Sequence, residues 1–146
     1  MEQQVDILLI EDNPEEAELA IRSMKKSKVA NTMVHIDDGA EALDYIFARG
    51  KYTGNKAGHP RMILLDLNLP KVGGLEILKE VKGDERTKII PVVVLTSSQE
   101  QRDVIESYKL GVNSYIVKPV NFESFSKAIV ELNMYWLVLN QPPLLR

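Results

Sequence analysis

Short apolar runs along the chain alternate with longer stretches in which apolar residues recur every three or four positions. The runs are VDILLI (5–10), MVHI (33–36), MILLD (62–66), PVVVLT (91–96) and SYIVK (114–118). Continuous apolar runs, rather than alternating ones, mark parallel strands covered on both faces. The stretches between them carry helical spacing. The first has Ala17, Ala20, Ile21 and Met24, and the second has Ala42, Leu43, Ile46 and Phe47. Leu75, Ile77, Leu78 and Val81 form the third, and Val104, Ile105, Tyr108 and Leu110 the fourth. Phe122, Phe125, Ala128, Ile129 and Leu132 form the fifth. Asn13 before Pro14 is an N-cap followed by proline at the first helical position, and Asp38 can cap the second helix. Gly83 and Gly111 stand where the third and fourth helices should stop. The Gly-rich stretch RGKYTGNKAGHP (49–60) reads as a long irregular loop. The pattern predicts an α/β fold: (βα)5, a doubly wound five-stranded parallel sheet with right-handed crossovers and helices on both faces. It is expected to be a single domain over 1–146, with a core of about 5–132 and a C-terminal helix extension and tail over about 133–146.

At 146 residues the chain fits one domain. It has no cysteine, which excludes disulfides and thiolate metal sites and suits a reducing compartment. Net charge is −3, with acids and bases interspersed. No basic block points to nucleic acid or to an anionic membrane. The opening MEQQVDILLIEDNPEE lacks the basic region and cleavage site of a signal peptide, and no apolar run approaches the roughly 20 residues of a membrane span. The expectation is a soluble, acidic, cytoplasmic domain.

The polar residues that end the runs change this bland picture. In open parallel sheets, ligands bind outside the carboxyl ends of the strands. The first run ends in Glu11 and Asp12, the third in Asp66, the fourth in Thr96 and Ser97, and the fifth in Lys118 and Pro119. If the first and third strands are neighbours, three carboxylates share a pocket. Two unit charges about 4 Å apart repel by roughly 4 kcal/mol at an effective dielectric of 20. Either one acid stays protonated or a cation sits among them. Carboxylates with a backbone carbonyl, which Asn68 can offer, suit Mg2+. Lys118 adds a positive charge and Thr96 a hydroxyl. The set suits a phosphoryl group, with Asp66 as nucleophile. His35 lies in an apolar strand and reads as core; His59 precedes a proline in a polar loop and reads as solvated.

The phrases IEDNP, LLDLNLP, VVVLTSS and YIVKPV resemble the receiver domains of two-component response regulators, from Val5 to about Leu132. The resemblance implies the flavodoxin-like receiver fold. It implies that Asp66 is the phosphoacceptor, and that Glu11, Asp12, Asp66 and the Asn68 backbone carbonyl hold Mg2+, with Mn2+ as a substitute. It assigns phosphoryl binding and switching to Thr96, Ser97, Lys118 and Tyr115, and a cis peptide to Lys118–Pro119. A receiver of this kind catalyses its own aspartyl phosphorylation and dephosphorylation without being a turnover enzyme. The loop at 49–60, the phrase DLNLPKVGGLEIL and the tail MYWLVLNQPP are similar to stand-alone receivers that serve phytochrome-type histidine kinases.

The expected partners are therefore a sensor histidine kinase of phytochrome type and a downstream protein or phosphotransfer partner. The last helix is apolar nearly all round, which predicts a homodimer with Phe122, Tyr135, Trp136 and Leu139 at its interface. Three rivals are weighed against this reading. A haloacid-dehalogenase-type phosphatase needs an acid two places after its nucleophile, where Asn68 stands, and usually carries a cap domain. A flavodoxin-like cofactor binder needs a phosphate cradle after the first strand, where the chain reads EDNPEE. A receiver fold acting as a scaffold without phosphorylation is the rival that the residues exclude least.

Overall fold

The computed structural model describes residues 5–27, 32–54, 59–97 and 100–118, together with positions 123, 124, 127 and 131. Five strands, β1 (Ile7–Ile10), β2 (Met33–Ile36), β3 (Met62–Leu65), β4 (Val92–Thr96) and β5 (Ser114–Val117), form one sheet. All its pairings are parallel, in the order β2-β1-β3-β4-β5. The connecting helices are α1 (Pro14–Ser27), α2 (Gly39–Ile46), α3 (Gly74–Gly83) and α4 (Gln101–Lys109). Positions 123, 124, 127 and 131 are helical, where the fifth stretch was expected. The C-terminal extension lies outside the described residues.

The apolar runs divide by parity, because successive strand side chains point to opposite faces. Ile7, Leu9, Met62, Leu64, Val93 and Leu95 pack with Ala17, Ala20 and Met24 of α1. Leu8, Ile10, Ile63, Leu65, Val92 and Val94 pack with Leu43 and Ile46 of α2 and Ile77, Leu78 and Val81 of α3. With both faces covered, no strand position of β1 or β3 is left to water.

The helix boundaries follow the predicted caps. Asn13 Oδ1 accepts from the backbone N–H groups of Glu15 and Glu16 at 3.0 and 3.1 Å. Asp38 Oδ1 accepts from those of Ala40 and Glu41 at 2.8 and 3.1 Å. Gly111 ends α4 with a φ of +100°, a conformation open to glycine at little cost. Within the 49–60 stretch, a 3-10 turn at Gly50–Tyr52 is tied down by the Tyr52 hydroxyl, which donates to Glu41 Oε2 at 2.6 Å, and by an edge-to-face contact with Tyr45. Residues 55–58 lie outside the described set.

Two expectations are corrected. Only half of the apolar stripe assigned to the fourth helix faces inward: Ile105 and Tyr108 are exposed, and the buried residue of α4 is Ser107. The inward line runs through Val104, Ser107 and Leu110, three residues apart, with a serine at its centre. His35 is not core either. β2 is an edge strand, so His35 is exposed, and its Nε2–H donates to the Glu11 backbone carbonyl at 2.8 Å.

Candidate functional site

The sheet order reverses between β1 and β3, which opens a crevice beyond their carboxyl ends. Ile10 stands opposite Leu65 in register, so the next residues, Glu11 and Asp66, emerge side by side. One carboxylate oxygen from each of Glu11, Asp12 and Asp66 lies within 4.8 Å of the others. Glu11 and Asp66 are buried and Asp12 is exposed, so the cluster is dry on the protein side and open outward. Three acids at this spacing, two of them desolvated, form the hard oxygen donor set that suits a divalent cation retaining several waters.

The loop after Asp66 is shaped by close packing. A Cβ on Gly74 would stand 2.4 Å from the Asp66 carbonyl oxygen and 2.5 Å from Leu67 Cα. Only glycine lets α3 begin directly behind the acid. The Asn68 backbone N–H donates to Asp66 Oδ1 at 3.3 Å, and its side-chain amide reaches Thr96 Oγ1 at 3.5 Å. The sequence pointed to the Asn68 carbonyl; the contacts in the structure are made by its N–H and its side-chain amide.

Lys118 leaves the end of β5, where its backbone N–H donates to the Thr96 carbonyl at 2.8 Å. Its side chain is 5 % exposed and runs back into the crevice. Nζ donates to Glu11 Oε1 at 2.6 Å and to Glu16 Oε2 at 2.5 Å, and lies 3.4 Å from Asp66 Oδ2. Glu16 was not foreseen. It sits in the first turn of α1, where an acid is ordinarily explained by the helix dipole.

The charges do not balance, and the carboxylates divide the burden unequally. Burial pushes Glu11 up to about 7, assisted by Asp66 and resisted by Lys118. Burial also pushes Asp66 upward, but hydrogen bonding from Glu11, the charge of Lys118, and bonds from Thr96 and the Asn68 N–H outweigh it. Asp66 therefore stays below the ordinary carboxylate value. The two carboxyls are thus pushed apart, Glu11 toward holding a proton and Asp66 toward the carboxylate form. For Lys118, burial works against the ammonium, but Glu11 and Glu16 raise it above the ordinary lysine value.

The remaining predicted residues fall at different distances from this centre. Thr96 is fully buried at the end of β4 beside Asp66. Ser97 is exposed one residue further on. Tyr115 is half-buried on β5, opposite Val94, and packs against the cluster beneath α2 and α3. Pro119, and hence the Lys118–Pro119 peptide, lies outside the described residues, as do Phe122, Tyr135, Trp136 and Leu139. Among the described residues no helix is long and apolar enough to cross a membrane.

Comparison with known proteins agrees with this geometry. The family described as the response regulator receiver domain matches residues 7–130. The probable methanogenesis regulatory protein FilR2 of Methanothrix harundinacea is 42% identical over 137 residues, 94% of this chain and 86% of that protein. The crystal structure of the phosphorylated cyanobacterial phytochrome response regulator RcpA superposes with a TM-score of 0.90 at 38% identity, covering 97% of this chain and 99% of that one. The Mn2+-bound form of response regulator Rcp1 gives a TM-score of 0.89 at 37% identity, over 96% and 99% of the two chains. The chain belongs to the response regulator receiver domain family, signalling proteins of phosphorylation-dependent two-component systems that bind a divalent metal.

Proposed function

We propose that Asp66 is the phosphoacceptor of this receiver, and that it takes its phosphoryl group from the phosphohistidine of a phytochrome-type sensor histidine kinase in the cytoplasm. The observation that carries the reading is a buried Asp66 at a strand end, beside a lysine and a threonine hydroxyl. The kinase assignment is supported by the likeness to RcpA, itself a phytochrome response regulator.

In the reaction, Asp66 Oδ forms a P–O bond as the P–N bond to the donor imidazole breaks. The imidazole nitrogen keeps the electron pair and takes a proton. Glu11, Asp12 and Asp66, with the Asn68 carbonyl, would hold Mg2+, which when bound neutralises charge on the phosphoryl oxygens. Lys118 supplies the second positive charge from the opposite wall. The Thr96 hydroxyl, now held by the Asn68 amide, turns to donate to a phosphoryl oxygen. Tyr115 follows into the space that Thr96 leaves, and the surface of α4 and β5 changes. Water later cleaves the acyl phosphate, releasing inorganic phosphate and regenerating Asp66. Output passes to a downstream protein or phosphotransfer partner. The C-terminal segment with Phe122, Tyr135, Trp136 and Leu139 joins two copies into a homodimer.

The test is phosphotransfer from candidate kinases, and from acetyl phosphate with Mg2+, to wild type and Asp66→Asn. Wild type should gain one acid-stable, base-labile phosphoryl group and the variant none. Equal labelling of the two would exclude Asp66, and no labelling of either would leave the scaffold reading.

A further inference from the structure

We infer that Glu16 is a positioning residue: it draws Lys118 away from Asp66 in the resting protein and so limits how tightly the pocket takes up a phosphoryl group. The inference rests on Asp66 as the phosphoacceptor.

Glu16 is the third residue after the Asn13 cap. A glutamate there ordinarily reaches back to the cap's own N–H, completing a capping box. Here that N–H is already taken, because Asn13 N–H donates to Glu11 Oε2 at 3.2 Å. Glu16 is thereby free to extend into the crevice, where it meets Lys118 at 2.5 Å.

The lysine's contacts are graded. Its bonds to Glu11 and Glu16 are short, while Asp66 stands 3.4 Å away, beyond a good charge-assisted hydrogen bond. With three N–H groups for three carboxylates, the ammonium is drawn toward Glu11 and Glu16, and Asp66 is left the longest of its three bonds. Exposure separates the competitors. The Glu11 and Asp66 side chains are 5 % and 7 % exposed and cannot turn to water, whereas Glu16 is 36 % exposed and can. A phosphoryl group on Asp66 adds up to about two negative charges and new acceptor oxygens on the Asp66 side of Lys118. The lysine then has a stronger partner, and the contact that can dissolve at least cost is the one to Glu16. Breaking that contact opposes phosphorylation, so neutralising Glu16 should favour the phosphorylated state.

Beryllofluoride, which adds to an aspartate as a phosphoryl mimic, serves as the probe at saturating Mg2+. Its affinity is measured by calorimetry and fluorine NMR for wild type, Glu16→Gln and Glu15→Gln. Glu15 lies in the same turn, is exposed, and does not touch Lys118, so its variant removes an equal charge as a control. Glu16→Gln should bind about two- to fivefold more tightly, the scale of a partly exposed ion pair, and Glu15→Gln as wild type. In the free protein, nitrogen NMR of the Lys118 ammonium should shift in Glu16→Gln alone, a signature that a purely structural role for Glu16 would not produce. Equal affinities for wild type and Glu16→Gln, or equal tightening in both variants, would overturn the inference. A wild type that takes up no beryllofluoride would instead overturn the reading of Asp66 itself.

Discussion

Glu11→Gln offers a quantitative check on the electrostatics of the crevice. Glu11 is held at about 7 in the fold, against 4.5 as its ordinary value. Between those values the folded protein binds a proton that the unfolded chain has lost. The stabilisation is therefore complete below pH 4.5 and disappears as pH rises through 7. At about 1.36 kcal/mol per decade, the loss amounts to roughly 3 kcal/mol. For a domain of this size each kcal/mol moves Tm by about 3–5 °C, so this one group lowers it by roughly 10 °C. Other carboxylates also titrate over the window, so the difference between the two proteins is the useful quantity. Glutamine keeps the size and the oxygen that accepts from Lys118, but it cannot ionise. Thermal and urea unfolding in chelator, from pH 4.5 to 7.5, should show the variant gaining on wild type by about 3 kcal/mol across the window. Adding Mg2+ at pH 7.5 should stabilise wild type more than the variant, since a cation replaces the lost proton. A difference that stays flat with pH in chelator would mean that Glu11 is not strained by burial, and the argument for a charge-deficient pocket would fall.

Three further outcomes follow from other parts of the fold. Gly74→Ala puts a methyl group 2.4 Å from the Asp66 carbonyl oxygen, so the chain should lose about 1–3 kcal/mol in urea unfolding and bind beryllofluoride more weakly; retention of both would show that α3 is not locked behind the acid. Burial pushes Lys82 down to about 8, while Nζ donates to the carbonyls of Lys88 and Ile90 at 2.9 and 2.7 Å; the unfolded chain then binds the extra proton, so wild type should gain stability on Lys82→Met as pH rises from 8 to 10. Tyr108→Ser on the exposed face of α4 should change unfolding free energy by no more than about 0.5 kcal/mol, and a large loss would restore the apolar stripe read from the sequence.

The strands and the acids were legible for one shared reason. A strand covered on both faces must be apolar throughout, so the first polar residue after each run marks its carboxyl end. That rule places Glu11, Asp66, Thr96 and Lys118 on one edge without knowledge of strand order. Glu16 was hidden because a glutamate in a first turn has an ordinary explanation, and only the contact from Asn13 N–H to Glu11 removes it. His35 was misread because its neighbours are apolar, although β2 borders the sheet. The face of α4 was misread because Val104, Ile105 and Tyr108 satisfy helical spacing while the serine between them takes the inward position.

The same serine bears on how the proposed switch travels. α3 buries Ile77, Leu78 and Val81, and each apolar side chain of this size is worth roughly 1.5–3 kcal/mol when fully buried. α4 buries only Ser107, whose Oγ is the one buried side-chain polar atom without a partner among the described residues, while Val104 and Leu110 are half-covered. A hydrogen bond from Thr96 to a phosphoryl oxygen is worth roughly 1.5–3 kcal/mol as a bond to a charged group. That is too little to lift α3 from the sheet but comparable with what holds α4. In sequence only residues 97–100 separate Thr96 from the start of α4, so the hydroxyl proposed to sense the phosphoryl group stands close along the chain to the helix least able to resist it. The polar residue that disguised α4 in the sequence is thus also a reason why, in the proposed switch, the energy of one acyl phosphate would suffice to move it.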